Sequence, residues 1–134
     1  MKIYVAAKFC DKERVRAAHN ALKAAEHTIT HDWTVNKTSF PFSANLEFAA
    51  QCATEDLAGV LAADVLVVLS HAEPSMGSAG ELGAAIAAKL LGKPMLIYAV
   101  GPHFDQSFFF HHPVVKQIDS IDAIISELHR IYGE

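Results

Sequence analysis

The run Val65-Leu-Val-Val-Leu69, entered through a single acid at Asp64, limits most strongly what this chain can become. Five consecutive apolar residues leave no polar face, so a strand built from them must be covered on both sides. Behind it comes Ser70-His-Ala-Glu-Pro-Ser-Met-Gly-Ser-Ala-Gly-Glu-Leu-Gly83, and then an Ala/Leu-rich run to Leu91. Strand, loop and helix in that order form the repeating unit of a parallel sheet with helical crossovers.

The remainder of the chain repeats this unit. Lys2–Ala6 reads as a first strand. Lys12–Glu26 reads as a helix with Val15, Ala18, Leu22 and Ala25 at helical spacing and Asp11 as its cap. Thr28–Trp33 alternates polar and apolar residues, the pattern of a second strand, and Val35–Phe42 reads as a loop. A long helix opens at Ser43 or Asn45 and runs to Ala62 or Ala63, with Leu46, Ala50, Leu57 and Leu61 predicted as its inner face. Gly92-Lys-Pro94 stops the helix after the glycine-rich loop, and Met95–Val100 makes a fourth strand. A Phe- and His-rich loop, Gly101–Pro113, leads to a short edge strand at Val114–Ile118. Ser120 or Asp119 then caps a last helix through Ile131. The pattern predicts one domain over residues 1–134, a three-layer α/β/α arrangement around a parallel sheet of about five strands. Such sheets bind ligands at the carboxyl ends of their strands. Here those ends are Ala7–Asp11, Thr34–Phe42, Ser70–Gly80 and Gly101–Pro113.

Composition removes several function classes. A net charge of −4 without a basic cluster argues against a nucleic-acid polymer as partner, though not against a mononucleotide. No apolar run approaches the ~18–20 residues a membrane span needs, and the opening Met-Lys-Ile-Tyr-Val reads as a strand rather than a signal peptide. Cys10 and Cys52 form no CxxC pair and read as reduced thiols of a cytoplasmic protein. The eight histidines make no ligand-spaced motif, so no metal is expected. Glycines 77, 80 and 83 are spaced G-x-x-G-x-x-G, not G-x-G-x-x-G, and no Gly-Lys-Ser/Thr follows, so no cofactor is expected either. An apolar fraction of 51% fits a doubly covered sheet or a chain that also buries a homodimer or larger interface.

Within the loop, Ser78-Ala-Gly-Glu81 matches a capping box, with Ser78 as cap and Glu81 reaching back. Yet glycine weakens a helix start by ~1 kcal/mol relative to alanine, and Gly80 and Gly83 would suit close approach by a ligand or another backbone. Glu81 is therefore either a cap or a nucleophile or general base. Asp56 is a surface charge or a functional acid, and Asp64 a strand-start residue or a substrate contact. Tyr4 is a core tyrosine or a site residue, and Phe9 and Trp33 are core aromatics or faces for a base. His111, His112 and Phe108–Phe110 would cover a pocket or line a subunit contact.

Ile3-Tyr-Val-Ala-Ala-Lys-Phe9, Glu55-Asp-Leu-Ala-Gly-Val-Leu-Ala-Ala-Asp64 and Pro74-Ser-Met-Gly-Ser-Ala-Gly-Glu-Leu-Gly-Ala-Ala85, in this order and followed by Gly92-Lys-Pro94, resemble the nucleoside 2-deoxyribosyltransferase superfamily, which includes 2′-deoxynucleoside 5′-phosphate N-hydrolases. The resemblance implies a flavodoxin-like (Rossmann-like) fold and cleavage or transfer at the N-glycosidic bond of a (deoxy)nucleoside or nucleoside 5′-monophosphate. By that resemblance Glu81 is the nucleophile, Tyr4 orients it, Asp56 binds sugar or protonates the departing base, and Phe9 packs on the base. Ser75 stands where phosphate-accepting members also have serine, with Gly77 and Ser78 adding donors. Ser107 and His111 would contribute to a neighbouring subunit's site. Two other readings remain open, a nucleotide-sensing module without turnover and an NAD-cleaving glycohydrolase.

Overall fold

The computed structural model describes residues 1–37 and 40–133. Positions 38 and 39 of the predicted loop Val35–Phe42 lie outside the described residues. The elements run β1 (Lys2–Ala6), α1 (Lys12–Ala24), β2 (Thr28–Ile29), α2 (Leu46–Ala62), β3 (Val65–Leu69), α3 (Met76–Leu90), β4 (Leu96–Val100), β5 (Val115–Ile118) and α4 (Ile121–Tyr132). The five strands form one all-parallel sheet in the order β2-β1-β3-β4-β5. α1 packs beside α4, and α2 beside α3. The architecture is the three-layer, flavodoxin-like one that the sequence predicts.

The wholly apolar β3 lies at the centre, flanked by β1 and β4 in register (Tyr4 opposite Leu66, Tyr98 opposite Val67), and all five of its residues are buried. The chain starts inside the sheet, turns outward to β2, and returns across β1 to β3. The order therefore switches direction between β1 and β3, the place where sheets of this kind bind their ligands, outside the strand carboxyl ends. No helix among the described residues is long and apolar enough to cross a membrane.

Three local predictions are corrected. β2 is two residues long, not six. Beyond it Asp32 Oδ1 accepts the backbone N–H of Thr34 at 2.9 Å and its hydroxyl at 2.5 Å. That aspartate turn folds Trp33–Val35 into a 3₁₀ turn and overrides the alternating pattern. Asp11 precedes α1 but makes no capping bond, because its carboxylate takes Arg14 at 2.9 Å. The predicted inner face of α2 points outward: Leu46, Leu57 and Leu61 are 69%, 43% and 49% exposed, and Ala50 is exposed too. α2 meets the sheet instead through Gly59 and Val60. Periodicity locates an apolar stripe without saying what covers it.

Candidate active site

Gly59 sets the distance between α2 and β1. A Cβ built on it would stand 2.7 Å from the His31 Cβ and 2.9 Å from the Tyr4 ring, so only glycine admits both side chains. The contact is fixed from the β2 side by Thr30, whose hydroxyl donates to the Gly59 carbonyl at 2.8 Å. One turn before Gly59, Asp56 is thereby carried to the same seam.

Tyr4 is fully buried, and its hydroxyl donates to the Glu81 carboxylate of α3. This decides what Glu81 does as a helix residue. α3 begins at Met76, its N-cap is Ser75, and the Ser75 hydroxyl accepts the N–H of Ser78 at 3.3 Å. The capping box centred on Ser78 is not formed. Glu81 lies beyond the first turn and turns its carboxylate to Tyr4. A methyl group added at Gly77, Gly80 or Gly83 would meet no described atom within 4 Å beyond the helix's own backbone, so packing within the chain does not require glycine there.

Burial pushes the Glu81 carboxyl up to about 7; the Tyr4 hydrogen bond pulls it the other way, and the nearby Asp56 charge adds to the rise. The Tyr4 phenol is driven above its ordinary range by burial and by the Glu81 and Asp56 charges. Asp56 is also raised, chiefly by burial, with His31 opposing the shift and Glu55 adding to it. His31 Nε2 lies 3.2 Å from Asp56 Oδ1. No sequence motif marks His31. Its signal was available only as the residue two positions beyond β2, at a carboxyl end of the sheet.

The other predicted site residues are distributed around this cluster. Phe9, 46% exposed, stacks on Trp33 with ring centroids 6.1 Å apart, and Lys12 Nζ lies 4.2 Å above its ring. Trp33 itself is buried and donates its indole N–H to the Val5 carbonyl at 2.8 Å, so Phe9 is the accessible member of the pair. Ser75 and Ser78 line a cavity of about 230 Å³ together with His71, Glu73, Gln106, Ser107 and Phe110. Glu81, Tyr4 and Asp56 are not among the residues that line it. The Ser78 hydroxyl donates back to the Ser75 carbonyl at 3.4 Å. His111 stands outside both the cavity and the cluster, held by Asp105 at 3.2 Å and Gln117 at 3.1 Å. Asp64 lies at the opposite, amino end of the sheet, where its carboxylate accepts the Lys2 N–H at 2.9 Å. It does not join the cluster. A larger cavity of about 620 Å³, between the carboxyl ends of α1 and α4, is likewise remote from the carboxylates.

Among the described residues one group has the composition of a metal site: Cys10, Asp11 and His71, with ligand atoms within 4.8 Å of one another. Its hydrogen bonding does not suit ligation. Arg14 already holds Asp11, and the Glu73 N–H donates to His71 Nδ1 at 2.9 Å, which leaves the ring proton on the Nε2 that faces Cys10 and Asp11.

A parallel five-stranded sheet in the order β2-β1-β3-β4-β5, with helices on both faces, defines a Rossmann-like α/β fold. Two solved structures share the fold across nearly the whole chain. One is the CMP N-glycosidase BcmB of Clostridium botulinum, at TM-score 0.59 and 18% identity, covering 98% of this chain and 100% of that one. The other is a 2-deoxyribosyltransferase of Bacillus psychrosaccharolyticus, at TM-score 0.62 and 20% identity, covering 93% and 90%. No family model and no curated protein sequence matches the chain.

Proposed function

We propose that this protein cleaves or transfers the N-glycosidic bond of a (deoxy)nucleoside or nucleoside 5′-monophosphate, with Glu81 as nucleophile. The observation that carries the reading is the bond from the buried Tyr4 hydroxyl to Glu81, with Asp56 alongside. It turns the carboxylate away from its own helix cap and toward β1. The fold shared with a CMP N-glycosidase and a 2-deoxyribosyltransferase agrees with the same chemistry.

In this reading one Glu81 oxygen attacks the anomeric carbon as the C–N bond breaks through an oxocarbenium-like state. Tyr4 holds the carboxylate in line and favours its ionised form. Asp56 in its protonated form gives its proton to the departing base nitrogen. The glycosyl ester on Glu81 then passes to water, regenerating the carboxylate, or to a second base. Phe9 offers an aromatic face for the base, and the Ser75 hydroxyl with the Gly77 amide at the start of α3 offers donors for a 5′-phosphate. The exposed Leu46/Leu57/Leu61 stripe of α2 is the surface on which a second copy would pack to form the homodimer. His111 and Ser107 would then reach a neighbouring site.

The test is incubation with deoxynucleosides, ribo- and deoxyribonucleoside 5′-monophosphates including CMP, and NAD, with and without a second base. Released or exchanged base is read by chromatography. Turnover of a nucleoside or monophosphate that disappears in Glu81→Gln is expected. Tight binding with no turnover of any compound would replace this reading with that of a nucleotide sensor.

A further inference from the structure

The contact that the proposed reaction leaves without a task is the one between His31 and Asp56. Their facing atoms, Nε2 and Oδ1, are 3.2 Å apart and shielded from solvent. Neither makes a hydrogen bond to any described group, and at this distance the two are within ion-pair reach of each other. The side chains as wholes are not sealed: His31 is 22% and Asp56 29% exposed. The facing atoms are thus buried, while the rest of each side chain keeps partial access to water.

The placement is built rather than incidental. His31 is pressed onto the bare backbone of Gly59, where any Cβ would displace it, and Thr30 fastens the same segment to the Gly59 carbonyl. Asp56 is otherwise surrounded by acidic or neutral groups: Glu81 and Tyr4 from α3 and β1, and Glu55 and Cys52 on its own helix. Of the described titratable groups around it, only His31 can carry a positive charge.

We propose that His31 is the positioning residue and proton partner of Asp56, so that the two hold one mobile proton between them and relay it from solvent to the leaving base. Carboxylate with imidazolium and carboxylic acid with neutral imidazole differ only in where that proton sits. When the carboxylic acid protonates the base, Asp56 becomes a carboxylate beside a neutral imidazole. Uptake of one proton from water at His31 restores the pair. The inference rests on the glycosidic reading for the identity of the acceptor, and on geometry alone for the pairing.

The experiment compares the wild-type chain with His31→Asn and His31→Gln. Two substrates are used: an ordinary purine nucleoside or monophosphate that the wild type turns over, and its N7-methylated counterpart, whose cationic base departs without needing a proton. Asparagine and glutamine can hold Asp56 by a hydrogen bond but cannot relay a proton. Both variants should lose about 10- to 100-fold in kcat on the ordinary substrate, the loss growing as pH rises. On the methylated one they should stay within about threefold of wild type. Equal losses on the two substrates, or none, would overturn the relay. Carbon-13 NMR of the Asp56 carboxyl, which needs no substrate, reads the pairing separately. Its titration should move upward in His31→Asn, because His31 opposes the rise caused by burial. An unmoved titration overturns the pairing. Wild-type protein that turns over neither substrate while this NMR shift persists would sink the glycosidic reading and with it the relay. Turnover with no His31 effect would sink the relay alone.

Discussion

The Tyr4 hydroxyl, in the middle of a fully covered strand, donates its proton to the Glu81 carboxylate of α3. A buried strand tyrosine needs one acceptor for its hydroxyl, and here the acceptor is the one acidic side chain of α3. That single bond ties the core of the sheet to α3.

Removing the bond has a definite direction. The Tyr4 hydroxyl lowers the Glu81 carboxyl, which burial otherwise raises to about 7. Tyr4→Phe should therefore move the acidic limb of the pH–rate profile upward and reduce kcat at neutral pH by about tenfold or more. A profile identical to wild type would show that Tyr4 does not set the ionisation of Glu81.

The same group predicts how stability depends on pH. The folded carboxyl titrates near 7 and an ordinary one near 4.5, so between these values the native state holds the extra proton. Its contribution is fully present below about pH 4.5 and is lost as pH rises through 7, by an amount on the order of 3 kcal/mol. Glu81→Gln should remove that loss, so that denaturant midpoints of variant and wild type diverge between pH 5 and pH 8, with the variant the more stable at pH 8. Parallel curves would contradict the raised carboxyl. A uniform deficit of ~1 kcal/mol in the variant is what a lost cap would give.

Two glycines should respond oppositely to alanine. Gly59→Ala drives a methyl into His31 and Tyr4 and should cost about 1–3 kcal/mol, with loss of turnover. Gly80→Ala points its methyl into open space and should raise helix stability by about 1 kcal/mol. If nucleotide binding nevertheless falls in Gly80→Ala, the space beside Gly80 belongs to the ligand or to a second subunit. Thermal denaturation and binding isotherms read both.

Ser75 separates a structural role from a binding one. Aspartate caps a helix as well as serine does, so Ser75→Asp should leave stability within ~0.5 kcal/mol of wild type. Its charge should weaken monophosphate binding while sparing the free nucleoside. Equal effects on the two ligands, read by calorimetry, would remove Ser75 from the phosphate site.

The α2 stripe gives a prediction about assembly. Leu57→Glu and Leu61→Glu lie on the exposed side of the helix, so they should leave far-UV circular dichroism unchanged and turn a sedimenting dimer into monomer. A wild type already monomeric at micromolar concentration would leave the stripe without that partner.

Much of this was legible in the chain. The apolar β3 run allowed only a doubly covered strand, and the alternation of elements then fixed the parallel sheet around it. The helix bounded by Ser120 is present, capped by the Ser120 hydroxyl on the Ala123 N–H at 3.1 Å. The inner face of α2 was not legible, because Gly59, which makes the contact, carries no hydrophobic signal, while the leucines that do carry one face outward. Tyr4, Asp56 and Glu81 were separable from their structural alternatives only once a resemblance placed them together. Distance then brought in His31, which sits on no motif, and left Asp64 at the far end of the sheet, bonded to the Lys2 backbone.

The proposal that Glu81 is a nucleophile is tested most directly by trapping. A nucleoside or monophosphate with fluorine at C2′ of the sugar slows both steps by destabilising the oxocarbenium-like state, and lets a glycosyl ester accumulate where a carboxylate nucleophile is used. Intact-protein and peptide mass spectrometry should show one fluorosugar adduct, carried on the peptide containing Glu81 and absent from Glu81→Gln. Base release without any adduct, together with turnover that survives in Glu81→Gln, would contradict it.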